Sequence, residues 1–180
     1  MDNIVSLVIC VGLAGGFGVF CEAVCSFCYW FIPKRTRGFE VVSTYDEVEV
    51  SLPKRQTANS AGYDICILDG DMIVPGETKV FSTGLKAYMG TDEFLGIHIR
   101  SSIGIKRKLI LSNITGIIDS DYYNNPDNEG HIMIALTNIG NESQIILGGE
   151  RIAQGIFYKY LKADNDKATS VRTGGIGSTL

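Results

Sequence analysis

Between residues 39 and 180 helical periodicity is scarce, and turn-forming residues interrupt the chain repeatedly. Pro53, Asp69-Gly70, Pro75-Gly76, Met89-Gly90, residues 124–130, Gly140-Asn141 and Gly148-Gly149 interrupt it in turn. Proline fixes φ and removes a donor, while glycine supplies the left-handed backbone that tight turns need. The runs between these breaks are short and rich in β-branched and aromatic residues: 39–42, 48–52, 62–68, 78–81, 94–100, 131–137, 144–147 and 152–161. Short strands with turn signals about every 8–12 residues predict an all-β sandwich, jelly roll or barrel. Only 103–109 reads as a helical turn, and no internal repeat is present.

The first forty residues follow different rules. Positions 4–32 hold 22 apolar residues out of 29, with Glu22 the single charge, and Lys34, Arg35 and Arg37 follow. About 20 apolar residues suffice to span a bilayer as a helix, and the basic flank places the C-terminal side in the cytoplasm. The expectation is an N-terminal transmembrane helix that anchors a cytoplasmic domain. A signal peptide fits poorly, because no Lys or Arg precedes the run. Cys21, Cys25 and Cys28 have the spacing of an iron–sulfur ligand set, but no large α/β barrel follows to use a cluster. Small apolar residues of a membrane helix are the plainer reading. Cys66 alone is left for the domain, so no disulfide can form within it.

Residues 39–180 carry 13 Lys and Arg against 18 Asp and Glu. An acidic balance of that size argues against a nucleic-acid-binding surface, and the apolar fraction argues against disorder. Local clusters stand out against it. Arg100-Ser101-Ser102 offers a guanidinium, two hydroxyls and backbone N–H groups, which together suit an anion. Asp119 and Asp121 bracket Ser120 beside Tyr122, and the tail from Arg172 onward is rich in glycine and hydroxyls. His98 and His131 lack metal-ligand spacing and read as satisfied structural histidines.

Five clusters in order resemble one family. Ala61-Gly62-Tyr63-Asp64, Arg100-Ser101-Ser102-Ile103-Gly104-Ile105-Lys106, Gly116-Ile117-Ile118-Asp119-Ser120-Asp121-Tyr122, Gly149-Glu150-Arg151-Ile152-Ala153-Gln154 and Gly174-Gly175-Ile176-Gly177-Ser178-Thr179 resemble the motifs of the homotrimeric dUTPases. The resemblance implies an all-β jelly-roll (β-clip) barrel, assembled as a homotrimer with sites at subunit boundaries. It implies hydrolysis of dUTP to dUMP and diphosphate, with Mg²⁺ on the phosphates. Asp119 matches the general base, and Tyr122 the ring that packs on deoxyribose. Asn113 matches a ligand-contacting residue of the hairpin that reads uracil. Arg100, Ser101, Ser102 and Gln154 match phosphate contacts, and Arg172 the arm arginine of the γ-phosphate. Gly174, Gly175, Ile176 and Ser178 belong to the arm, and Asp64 matches the residue that holds the metal through water. Arg151 reads as a brace for neighbouring acidic groups.

Three departures qualify the match. Ile176 stands where the family's arm usually has a Phe that stacks on uracil. The arm is one residue shorter between Arg172 and Gly174. Residues 123–129 form an insertion read as a surface loop. Two alternatives stay open: a dCTP deaminase relative, which usually continues Pro-Gly-Trp after the shared Ile-Asp, and a regulatory protein that keeps the fold without the activity.

Overall fold

Alternation along the strands decides what faces inward. The structure, a computed structural model, describes residues 35–175; the run 4–32 and arm residues Ile176 and Ser178 lie outside them. Eleven strands form among the described residues: β1 Gly38–Val41, β2 Tyr63–Cys66, β3 Asp71–Ile73, β4 Thr78–Ser82, β5 Leu85–Tyr88, β6 Glu93–Ile99, β7 Leu109–Leu111, β8 Gly116–Asp119, β9 Met133–Asn138, β10 Gln144–Ile146 and β11 Arg151–Lys159. All pairings are antiparallel, in sheets ordered β1-β5, β10-β3, β2-β11-β6-β8 and β4-β9-β7. The all-β expectation holds, and the one predicted helical turn is a five-residue π-type turn, Ser102–Lys106. Among the described residues no helix is long and apolar enough to cross a membrane.

In β9, Ile134 and Leu136 point into the core while Met133, Ala135 and Thr137 face outward. They meet Ile65, Ile73, Leu85, Leu95, Leu109, Ile146 and Ile152, each nearly or fully buried, so every sheet feeds one shared apolar interior. Each such side chain contributes roughly 1.5–3 kcal/mol on leaving water. Asn138 is buried at the end of β9, where Nδ2 donates to Ile73 O (2.9 Å) and Glu142 O (2.8 Å), and Oδ1 accepts from Gly140 N (2.9 Å). A single polar side chain thus ties β9, β3 and the turn into β10 with its hydrogen-bonding capacity used.

Four strands, β3, β5, β7 and β8, form where the sequence pattern predicts none. One predicted strand, 48–52, does not form. Val50 packs on the core, but Val48 and Leu52 are exposed and the segment joins no sheet. Arg37 makes two bonds to the buried Glu93, Nε–Oε2 at 3.0 Å and Nη2–Oε1 at 2.5 Å. That pairing secures the entry into β1.

Candidate active site

The four-stranded sheet β2-β11-β6-β8 carries the polar clusters, and its register fixes where each one lies. Asp64 on β2 pairs with Gln154 on β11, which pairs with His98 on β6. Arg100 leaves β6 beside them, its N–H donating to Ile152 O at 3.1 Å. Both oxygens of Asp64 are taken: Oδ1 by Arg100 Nε at 3.1 Å and Oδ2 by Arg151 Nη1 at 3.2 Å. Arg151 is therefore the brace that its motif suggested, and Asp64 aligns the guanidinium of Arg100. Ser101 and Ser102 open the short helical turn with exposed side chains, while the buried Ile103 pins that turn to the core. Gly62 leaves room for Gln154, since a Cβ there would lie 2.2 Å from Gln154 Oε1. Asp64, Arg100, Ser101, Ser102 and Gln154 thus form one cluster at one end of the sheet.

A second cluster surrounds a cavity of about 210 Å³ lined by Ile97, Leu111, Asn113, Ile117, Ile118, Asp119, Tyr122, His131, Met133, Ala135, Arg172 and Gly175. The β7–β8 hairpin supplies Asn113 at its tip, next to Ile114 at φ +64°, a strained value for a β-branched residue. Asp119 ends β8. Burial pushes its carboxyl above the ordinary aspartate range; Arg172 opposes that shift and Asp121 reinforces it. The Arg172 guanidinium bonds Asp119 Oδ2 through Nη2 (2.5 Å) and Asp121 Oδ1 through Nε (2.9 Å), with its Cζ 5.8 Å from the centroid of the Tyr122 ring. Tyr122 is almost fully buried.

The register also shows what one chain does not bring together. Asp119 pairs with Phe94 at the start of β6, whereas Arg100 follows its end. Six residues of strand, a rise of about 20 Å, lie between the register position of Asp119 and Arg100.

The profile of the dUTPase family matches residues 48–180. The chain belongs to the dUTPase family. The deoxyuridine 5'-triphosphate nucleotidohydrolase of Lactococcus lactis subsp. lactis is 48% identical over 147 residues, covering 81% of this chain and 98% of its own. That of Escherichia coli (strain K12 / DH10B) is 36% identical over 137 residues, 72% of this chain and 87% of its own. The crystal structure of dUTPase from Streptococcus mutans superposes with a TM-score of 0.66 at 42% identity, covering 71% of this chain and 99% of that one.

Within this dUTPase domain two partners escaped the sequence reading. Asp121 shares Arg172 with Asp119, and His131 lines the cavity. His131 is satisfied, as expected, its Nε2 accepting from Gly84 N at 3.0 Å. The insertion is a surface loop, as expected, with Asn124, Pro126 and Asp127 exposed, but Asn125 is only 5% exposed and turns inward. Its Asn-rich run, 124–128, was the available signal, because Asn side chains close local turns on the backbone. Among the described residues Cys66 is the only cysteine, and it is free.

Proposed function

We propose that this chain hydrolyses dUTP to dUMP and diphosphate, as a homotrimer in which Asp119 of one subunit works with the Arg100 cluster of another. The observation that carries the reading is the division of a dUTPase motif set into two half-sites at opposite ends of one sheet. A closed ring of three brings each half against its complement and leaves none unmatched.

Asp119 accepts a proton from water while the water oxygen bonds to the α-phosphorus, and the bond to the β-bridging oxygen breaks so that diphosphate departs. Desolvation of Asp119 makes it the stronger base. Asn113 and the hairpin backbone hold the uracil edge, and the wall formed by Tyr122 excludes a ribose 2′-hydroxyl. Arg100, Ser101, Ser102 and Gln154 hold phosphate oxygens. Arg172 exchanges its two carboxylates for the γ-phosphate, and Gly174, Gly175, Ile176 and Ser178 close over the nucleotide. Ile176 covers uracil with less ring stacking than the Phe usual at that position would give.

Mg²⁺ fits this site as an ion carried by the substrate's phosphates. Among the described residues no cluster of three His, Cys, Asp or Glu could hold an ion by itself. Each Asp64 oxygen accepts from an arginine, and the carboxylate holds the ion through water in this reading. When bound, the ion supplies charge neutralisation on the triphosphate. The run Asp119-Ser120-Asp121-Tyr122, in place of the Pro-Gly-Trp usual after the shared Ile-Asp of the deaminases, counts against that alternative. Residues 39–180 form the catalytic domain, and 1–38 a hydrophobic segment whose basic flank sets the domain on the cytoplasmic side.

The test is diphosphate release from dUTP by residues 39–180, with UTP, dTTP and dCTP alongside, with and without Mg²⁺. Selective, metal-dependent release from dUTP by a species of trimer mass supports the reading. A folded trimer without turnover refutes it.

A further inference from the structure

We propose that the insertion is a positioning loop: Asn128, oriented by Asn125, locks the Tyr122 ring and so sets how strictly a ribose is refused. This rests on the reading of Tyr122 as the sugar-facing wall. The polar side chains of a surface insertion ordinarily face water, yet here two of them, Asn125 and Asn128, are turned onto Tyr122. Asn128 Nδ2 donates to Tyr122 Oη at 2.8 Å, and Tyr122 Oη donates to His131 O at 3.0 Å. The hydroxyl is thereby held from two sides, at the end of the ring farthest from its backbone. Asn125 Nδ2 donates to Tyr122 O and to Asn128 Oδ1, both at 2.8 Å.

The network also decides which way Asn128 points. Its Oδ1 accepts from Asn125 Nδ2 and from Gly130 N (3.0 Å), which leaves only Nδ2 to face Tyr122. Asn125 Oδ1 accepts from the backbone N–H groups of Asp127 and Asn128, each at 3.1 Å, closing the loop on itself. Gly130 completes the fit: at φ +82° it sits where a Cβ would lie 2.5 Å from Tyr122 O. The far end of the loop is fastened by Lys86, which donates to Asn124 Oδ1 (2.7 Å) and Glu129 Oε2 (3.0 Å).

Such bracing matters because exclusion of a hydroxyl depends on a wall that does not yield. A hydrophobic surface alone discriminates weakly against an added hydroxyl. A ring free to tilt would make room for one, whereas a ring tied at both its carbonyl and its hydroxyl does not.

The experiment compares kcat/KM for dUTP and UTP in the wild-type full chain, Asn128→Ala, Tyr122→Phe and the double variant, each checked for thermal melting and trimer mass. Asn128→Ala is expected to lower the dUTP-to-UTP ratio by about tenfold, chiefly through a lower KM for UTP. Tyr122→Phe removes the same bond from the other side without altering the loop, so it carries the test if Asn128→Ala does not fold. The double variant should lose no more selectivity than the worse single one, since both remove the Asn128–Tyr122 bond and Tyr122→Phe removes the bond to His131 O besides. An unchanged ratio in either folded variant, or additive losses, overturns the proposal while leaving the dUTPase reading intact. A purely structural role for Asn128 would slow both substrates alike and melt the protein earlier. A wild-type chain that did not prefer dUTP to UTP would refute the parent reading and this one with it.

Discussion

Asp119 keeps nearly half of its side-chain surface open to solvent, and the three influences on its charge are all in view. Burial raises its pKa, Asp121 adds to the rise, and Arg172 opposes it. A base must be ionised to act, so the acid limb of kcat/KM should lie above the usual aspartate value of about 3.9. Arg172→Ala removes the one stabilising charge and should move that limb to still higher pH while raising KM for dUTP. A limb that stays put on titrating the variant would show that Arg172 does not face Asp119 in the free enzyme. Asp119→Asn should cost about 10²–10⁴ in kcat and leave binding of a non-hydrolysable dUTP analogue intact by calorimetry. His131 argues in the opposite sense for stability. Burial lowers its pKa, so the folded chain binds fewer protons there than the unfolded one. Its contribution is therefore complete above about pH 6.5 and is lost as pH falls from there through the lowered value. Denaturation midpoints measured from pH 8 down to 5 should drop over that interval, and less so in His131→Gln.

Individual elements owe their placement to a few polar anchors more than to strand propensity. β3 and β10 are three residues each, too short to stand as an isolated pair. Asn138 holds β3 to β9 through one hydrogen bond and fixes the turn into β10 through two more, at a site with no solvent exposure. Asn138→Ala would strand the buried carbonyl of Ile73 and the amide of Gly140, at a cost of about 2–4 kcal/mol by urea unfolding. Asn138→Asp is no substitute, because a carboxylate cannot donate to those two carbonyls. The strand β6 matters differently. It is the ruler along which Asp119 and Arg100 are set apart, and its pairing with both β8 and β11 makes that spacing rigid.

For the assembled molecule the separation of half-sites leads to a complementation experiment. Asp119→Asn retains a sound phosphate cradle and Arg100→Ala a sound base, yet each homotrimer is expected to be inactive or nearly so. Unfolded together in equal amounts and refolded, random trimers should regain roughly a quarter of wild-type sites, because one chain lends its base to its neighbour's cradle. No recovery on mixing, with mixed trimers confirmed by native mass spectrometry, would show that each chain uses its own two clusters after all.

Much of this was legible in the sequence, because its signals are local. Turn residues at short intervals exclude long helices whatever the rest of the chain does, and five motifs in order carried the family and its chemistry. The short strands β3, β5, β7 and β8 were not legible, although β1, β2 and β10 of the same length were, since at that length pairing comes from neighbours distant in sequence. The partners of Arg172 could not be read either, because Asp119 and Asp121 meet it only through folding across about fifty residues. The insertion shows the division most clearly. Its asparagines announced a closed turn, but that the turn closes on Tyr122 depends on where β8 and β9 place the two ends of the loop. Residue chemistry and local backbone preference were set along the chain, and which groups face each other was decided by packing around the shared apolar core.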